Sequence, residues 1–445
     1  MVAKFVLISW LLFSAVFTLN TAAENSLQDV ADTTSPYSLQ ALQQDFLHLR
    51  GTLEENHANL YAFTAKADMN KLMERQYGRI RAGMTLPEFF VLLTPIVAAI
   101  GCGHTNVWMP MRYWEQPDCR LFPLRIRLFD DVVVAGSYTE DEQLPRGTVL
   151  LRLNGRPFAD IIHEMKANYP ADAMNPYFIH KAVERRFPMI YSRRFGFPDA
   201  YRVTYVLPGG KEPREKSLQP ASNEAVRKVV FKNFQDPELR LELLDDHHGA
   251  LLRIQTFSYY DRVQYFKTFL SRSFAEIQQK AIANLILDLR GNDGGDPFCA
   301  APLFSYLEPK PLPYFADLYG KYAGLAVPIP RAEHAFTGNL LILVDGRCFS
   351  TTGHVLALLK YHGIGRFIGT ATGATYTCNA GKNTRTTLPN TGIMLYFGRS
   401  AFAAAVRGMD KSKPIMPDVT VQETYADFLA GRDTCLEAAL RLCAK

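Results

Sequence analysis

Asn339 to Thr375 reads NLLILVDGRCFSTTGHVLALLKYHGIGRFIGTATGAT. Leu340 to Val344 is a continuous apolar run of strand length, the pattern of a strand buried on both faces of a parallel sheet. Asp345-Gly346 turns the chain. From Thr351 the apolar residues Val355, Leu356 and Leu359 recur at helical spacing until Gly363 stops them, so Ser350 falls where a strand passes into a helix. There the unpaired backbone N–H groups and the positive end of the helix dipole favour negative charge on a hydroxyl or a neighbouring oxyanion, which suits a nucleophile. Serine is also a preferred helix cap with no further role, and this stretch alone does not separate the two readings.

Upstream, Ala250 to Phe257 reads as a strand, Val263 to Gln279 as a helix and Leu285 to Leu289 as a second apolar strand, followed by Arg290-Gly291-Asn292-Asp293-Gly294-Gly295-Asp296. Strand, helix, strand predicts α/β layering with ligands at the carboxyl ends of the strands. Glycines let backbone approach a ligand, so Gly294 or Gly295 is expected to supply one oxyanion donor and Thr351 the other. The loop has neither the GxxxxGK[ST] nor the GxGxxG spacing of a nucleotide site. Val226 to Asp246 is polar and reads as a connector.

The 445 residues allow two or three domains. A net charge of +5, with no run of five or six basic residues, gives no sign of nucleic-acid binding. The opening MVAKFVLISWLLFSAVFTLNTAAENS has one lysine, an apolar run from Phe5 to Leu19, and small residues up to Ala23. That is signal-peptide architecture, shorter than a spanning helix, and it predicts a secreted or periplasmic mature protein with no stable membrane insertion. Of the seven cysteines, no pair has CxxC spacing and no His/Cys cluster has zinc-site spacing, so no metal is expected. Cys348, two residues before Ser350, reads as a small buried residue.

The N-terminal part is helical: Phe46, Leu49 and Leu53 share a face, and Thr85-Leu86-Pro87-Glu88 forms a capping-box pattern opening a helix through Ile100. It ends in Gly101-Cys102-Gly103-His104-Thr105-Asn106, which delivers His104 on a tight turn. Short strands follow at Leu124 to Phe129, Val132 to Ala135, Thr148 to Leu153 and Tyr201 to Leu207, with a helix near Ile161 to Ala167 and a charged run, Lys211 to Lys216, read as a solvated turn.

Together LILDLRGNDGG, LLILVDGRCFSTTGHVLALL with FIGTATGA, and IMPDVTV resemble the C-terminal processing (tail-specific) serine peptidases and their tricorn-core and interphotoreceptor retinoid-binding relatives. GCGHTN is similar to the family's glycine-His-Thr segment, and LPRGTVLLRLNGRPFADII to its PDZ-like insert, which reads a peptide terminus. The Ser-Lys branch carries a lysine 25 residues after the serine, where this chain has Thr375; Lys360 and Lys382 lie in other contexts. The tricorn-like branch uses a histidine and a late acidic residue, which carry over as His104 and Asp410, with Asp418 the competitor. The family's acid is more usually glutamate. With serine, histidine and carboxylate in hand, the chemistry needs no cofactor.

The resemblance therefore implies an α/β core, a crotonase-like layered sheet, with a helical N-terminal region and a small PDZ-like β module. The expected division is a signal peptide at 1–23, the helical region at 24–115, the β module at 116–215 and the catalytic core at 216–445. The expected function is peptide-bond hydrolysis on polypeptide substrates through Ser350, His104 and Asp410, as a monomer or homo-oligomer. A non-catalytic binding protein on the same scaffold is the alternative.

Overall fold

A computed structural model describes residues 36–443 except 117–118, 142, 232–238 and 245–247. The expected signal peptide lies outside the described residues. Among the described residues no helix is long and apolar enough to cross a membrane.

The core is a six-stranded sheet in the order Leu239–Leu244, Gly249–Ile254, Asn284–Asp288, Asn339–Val344, Arg366–Gly369 and Val419–Thr420. Its first pair is antiparallel and the rest are parallel. Leu285 pairs with Leu340 and Ile286 with Leu341, so the two apolar runs lie side by side. Alternation along each strand sends successive residues to opposite faces. Leu285, Leu287, Ile342 and Val344 pack under the Val263–Gln279, Pro297–Leu307 and Thr351–Tyr361 helices. Ile286, Leu341, Leu343 and Ile368 pack under the C-terminal Thr434–Leu442 helix. Each fully buried leucine contributes about 1.5–3 kcal/mol of transfer free energy, which explains a run apolar at every position.

The expected connector over 226–246 is corrected. It takes in the latter part of an Asn223–Val230 helix, capped by the Ser222 side chain, and the antiparallel edge strand Leu239–Leu244. Leu239, Leu241 and Leu243 alternate with Arg240 and Glu242, a half-buried period of two that the charged residues mask when only composition is weighed.

The N-terminal helices Leu39–Asn56, Lys66–Tyr77 and Leu86–Ala99 form a second core. The Thr85/Glu88 capping box forms in both directions. Against this bundle lies a long hairpin from the distant part of the chain, Thr377–Thr387 with Met394–Ala403. The short strand Asn106–Trp108 adds to the hairpin's edge, Val107 opposite Leu395. The turn carrying His104 is thereby fixed from its downstream side.

The β module is a sheet in the order Leu124–Leu128, Val132–Ser137, Val149–Leu153, Tyr201–Val206 and Arg214–Leu218, with Arg156–Pro157 pairing onto Val149–Leu153. The charged run over 211–216 is corrected from turn to edge strand in its latter half, where Arg214 pairs with Tyr205. Charge on an exposed edge discourages pairing with other chains. The helices Phe158–Ala167 and Pro176–Phe195 pack on this sheet. Just before the second helix, a tight turn at Asp172–Met174 returns to the His104 loop.

Candidate active site

Ser350 follows the Asn339–Val344 strand and immediately precedes the Thr351–Tyr361 helix. Its backbone sits at φ +58, ψ −126, a region that non-glycine residues avoid. Such a conformation costs on the order of 1–3 kcal/mol and persists only where the surroundings enforce it. The hydroxyl makes no helix-capping hydrogen bond. Instead Ser350 Oγ lies 3.0 Å from His104 Nε2.

Three contacts place that imidazole. The ring stacks on Phe349, centroids 4.6 Å apart, and Phe349 packs in turn on Phe178 at 4.4 Å. Thr105, the next residue, binds His57 Nε2 through its hydroxyl at 2.6 Å. Gly103 faces the Phe349 ring so closely that a Cβ there would stand 2.7 Å from it. Burial, with a smaller electrostatic contribution from the neighbouring His354, pushes the His104 pKa down to about 3. The ring is therefore neutral at pH 7, with a lone pair available to accept a proton.

The glycine loop presses on the serine from the other side. A Cβ on Gly294, at φ +96, would lie 2.7 Å from both the Phe349 carbonyl oxygen and Ser350 Cβ. The two glycines are not equivalent as donors, because the Gly294 N–H donates to Asn292 Oδ1 at 2.9 Å. No hydrogen bond from the Gly295 or Thr351 N–H occurs among the described residues. The Thr351 hydroxyl donates to the Gly295 carbonyl at 2.6 Å, tying the two donor-bearing segments together.

The structure does not bring Asp410 to the histidine. Its Oδ1 accepts from the Ser412 N–H at 2.9 Å and the Ser412 hydroxyl at 2.6 Å, and Lys413 Nζ lies 3.8 Å from Oδ2. A local turn of the Asp-x-Ser kind satisfies this carboxylate on an exposed loop, and these bonds hold its pKa below the ordinary value. Asp418 is engaged by Lys360 and by the Phe367 N–H. Thr375, where a catalytic lysine would stand, is buried and donates to the Thr377 carbonyl. Cys348 is fully buried with its thiol against the Leu289 carbonyl, and burial raises its pKa far above the usual value.

A residue the sequence reading passed over lies beside the histidine instead. Asp172 is 3 % exposed, and its Oδ1 accepts the Gly103 N–H at 2.8 Å. Its Oδ2 and His104 Nδ1 are both buried without a hydrogen-bond partner among the described residues. A ring nitrogen of His104, the Cys102 Sγ and an Asp172 oxygen lie within 4.8 Å of one another, a donor set that could also hold a metal ion. Burial pushes the Asp172 pKa up to about 7, the Gly103 N–H opposing it.

An α/β core that presents a serine at a helix N-terminus against a neutral imidazole has the construction of a serine-type hydrolase. Residues 248–421 match the profile of peptidase family S41, a family of serine-type peptidases. Among solved structures, a mutant of CPAF is similar with a TM-score of 0.67 at 13 % identity, the match covering 91 % of this chain and 97 % of that one. Mature CPAF is similar at 0.61 and 13 %, covering 91 % and 96 %, and mature CPAF complexed with lactacystin at 0.61 and 14 %, covering 91 % and 97 %. At such identities the likeness concerns the fold. No curated protein matches the chain.

Proposed function

We propose that this is an exported serine peptidase in which Ser350 is the nucleophile and His104 its general base. The observation that carries the reading is the 3.0 Å contact of Ser350 Oγ with His104 Nε2, made by a serine that forgoes its helix cap. In this reading Nε2 takes the hydroxyl proton as Oγ attacks the scissile carbonyl. The N–H groups of Gly295 and Thr351 receive the developing oxyanion, and His104 returns the proton to the departing amine. Water then releases the acyl group from Ser350 by the same steps in reverse roles. The β module is the place where a polypeptide terminus would be read, by its resemblance to a PDZ-like insert, and the leader over 1–23 would direct export.

Labelling with a fluorophosphonate probe and hydrolysis of fluorescein-casein test the centre together. The wild-type protein is expected to do both, and Ser350→Ala neither, because removing a nucleophile costs roughly 10⁶ in turnover. Labelling that survives in Ser350→Ala would place the nucleophile elsewhere. The mass of the exported protein checks the leader, with cleavage expected after Ala23.

A further inference from the structure

We infer that Asp172 is the positioning residue of this centre: its carboxylate orients His104 and receives the Nδ1–H of the imidazolium that forms when Ser350 gives up its proton. The inference rests on the peptidase reading above. The first ground is a coincidence of unsatisfied atoms. A buried polar atom without a partner costs about 1–3 kcal/mol, yet both residues of this pair carry one, the Asp172 Oδ2 and the His104 Nδ1. One is an acceptor when ionised and the other becomes a donor once the Nε2 side is left to Ser350. A ring nitrogen of His104 and a carboxylate oxygen of Asp172 lie within 4.8 Å of each other, with no hydrogen bond formed at either unpartnered atom among the described residues. Catalytic contacts of this kind are commonly loose in the free enzyme and tighten with substrate.

The second ground is the construction around the carboxylate. Asp172 Oδ1 already holds the Gly103 N–H at 2.8 Å, so the side chain grips the residue before the histidine while its other oxygen is left buried and unpartnered. The turn that presents it is strained: Ala173 and Met174 stand at φ +51 and +56 although neither is glycine. The Ala173 N–H donates to the Gly101 carbonyl at 2.8 Å, a second tie from the same turn to the same loop. Asn175 closes the arrangement, capping the Pro176–Phe195 helix with Oδ1 while its Nδ2 donates to the Thr372 carbonyl. A neutral imidazole depressed by burial is a weak base, and an adjacent carboxylate supplies what is missing, since the imidazolium formed in the transition state pairs with it.

The substitution Asp172→Asn separates this role from a purely structural one, because asparagine keeps an oxygen for the Gly103 N–H and loses the charge. Three measurements on the full mature chain decide. Ser350 labelling by fluorophosphonate is expected to slow by about 10²–10⁴-fold in Asp172→Asn and in Asp172→Ala alike. Thermal unfolding is expected to stay near wild type for Asn and to fall for Ala. A far-downfield Nδ1–H proton resonance is expected in the wild type and in Ser350→Ala, and not in Asp172→Asn or His104→Ala. Wild-type labelling rates in Asp172→Asn, with loss only in Asp172→Ala, would overturn the inference in favour of a loop-holding role. Stoichiometric zinc in the purified protein, absent from Asp172→Asn, would overturn it by making the carboxylate a metal ligand. Failure of the wild type itself to label would sink the peptidase reading, and the resonance would still decide whether Asp172 and His104 are paired.

Discussion

Gly294 has no room for a methyl group, and the reason is the serine. Its Cβ would strike the Phe349 carbonyl and Ser350 Cβ, both backbone-bound and unable to swing away. Gly155 has a comparable positive φ of +81 but nothing within 4 Å of a Cβ. Gly294→Ala is therefore expected to abolish fluorophosphonate labelling, through displacement of Ser350, together with a loss of stability. Gly155→Ala should cost only about 1 kcal/mol of backbone strain and leave labelling unchanged. Equal effects in the two variants would show that conformation alone, and not the contact with Ser350, fixes Gly294. At this scale the sequence singles out Ser350 and His104, which the fold brings to 3.0 Å of each other, because each follows a local signal, a strand-to-helix junction and a glycine-flanked turn. Asp172 carries no such signal. It lies 68 residues beyond His104, within the stretch assigned to the β module, and only folding carries it back to the loop. Asp410 was favoured by its place in the order of the chain, and its own neighbour Ser412 claims the carboxylate.

The His104 turn is held at one end by the Leu86–Ala99 helix and at the other by the hairpin, so those elements set the accuracy of the site. The hairpin's own anchor is Asp45, fully buried on the first helix. Its Oδ1 accepts the Asn390 N–H at 2.8 Å, and its Oδ2 accepts the Thr391 N–H at 2.8 Å and the Thr391 hydroxyl at 2.6 Å. Asp45→Ala would strand those donors in the interior, and each buried unpaired group costs about 1–3 kcal/mol. The expected outcome is a clear fall in the urea midpoint, with Ser350 labelling per folded molecule little changed because Asp45 touches neither Ser350 nor His104. An unaltered midpoint would mean that water replaces the carboxylate and that the turn is not sealed. The hairpin itself was not visible in the sequence. Its first strand, TCNAGKNTRTT, offers almost no apolar alternation, and it is held by pairing with Met394–Ala403, far along the chain from the bundle it covers. The parallel core was legible for the opposite reason: strands such as Asn284–Asp288 are buried at every position, and that leaves an unmistakable apolar run.

Across the whole molecule, burial of titratable groups couples stability to pH in two opposing directions. Burial lowers His57, His180 and His354 to about 4 and His104 to about 3. Burial also raises Asp172 and Glu308 to about 7. Stability rises with pH wherever the unfolded chain binds more protons than the folded one. Below about pH 6.5 the unfolded chain protonates all four histidines while the folded chain leaves them neutral, so these groups lose stability as the pH falls. The two carboxyls act oppositely. From pH 7 down to about 4.5 the folded chain holds their protons and the unfolded chain does not, so they gain stability as the pH falls. Near pH 6.5 the unfolded histidines are half protonated and the two sets nearly cancel. By pH 5 the histidines win, four protons against two, and unfolding takes up about two protons net. The urea midpoint should therefore pass through a shallow maximum between about pH 6 and 7 and fall with increasing slope below about 5.5. Replacing His354 with glutamine should flatten the acid limb by close to one proton, whereas Asp172→Asn should steepen it between pH 5 and 7 by removing a compensating group. A midpoint that is level or rising from pH 6.5 to 4.5 would show that these histidines accept protons in the folded state, through water or rearranged partners. The neutral imidazole assigned to His104 would then have to be abandoned along with the rest.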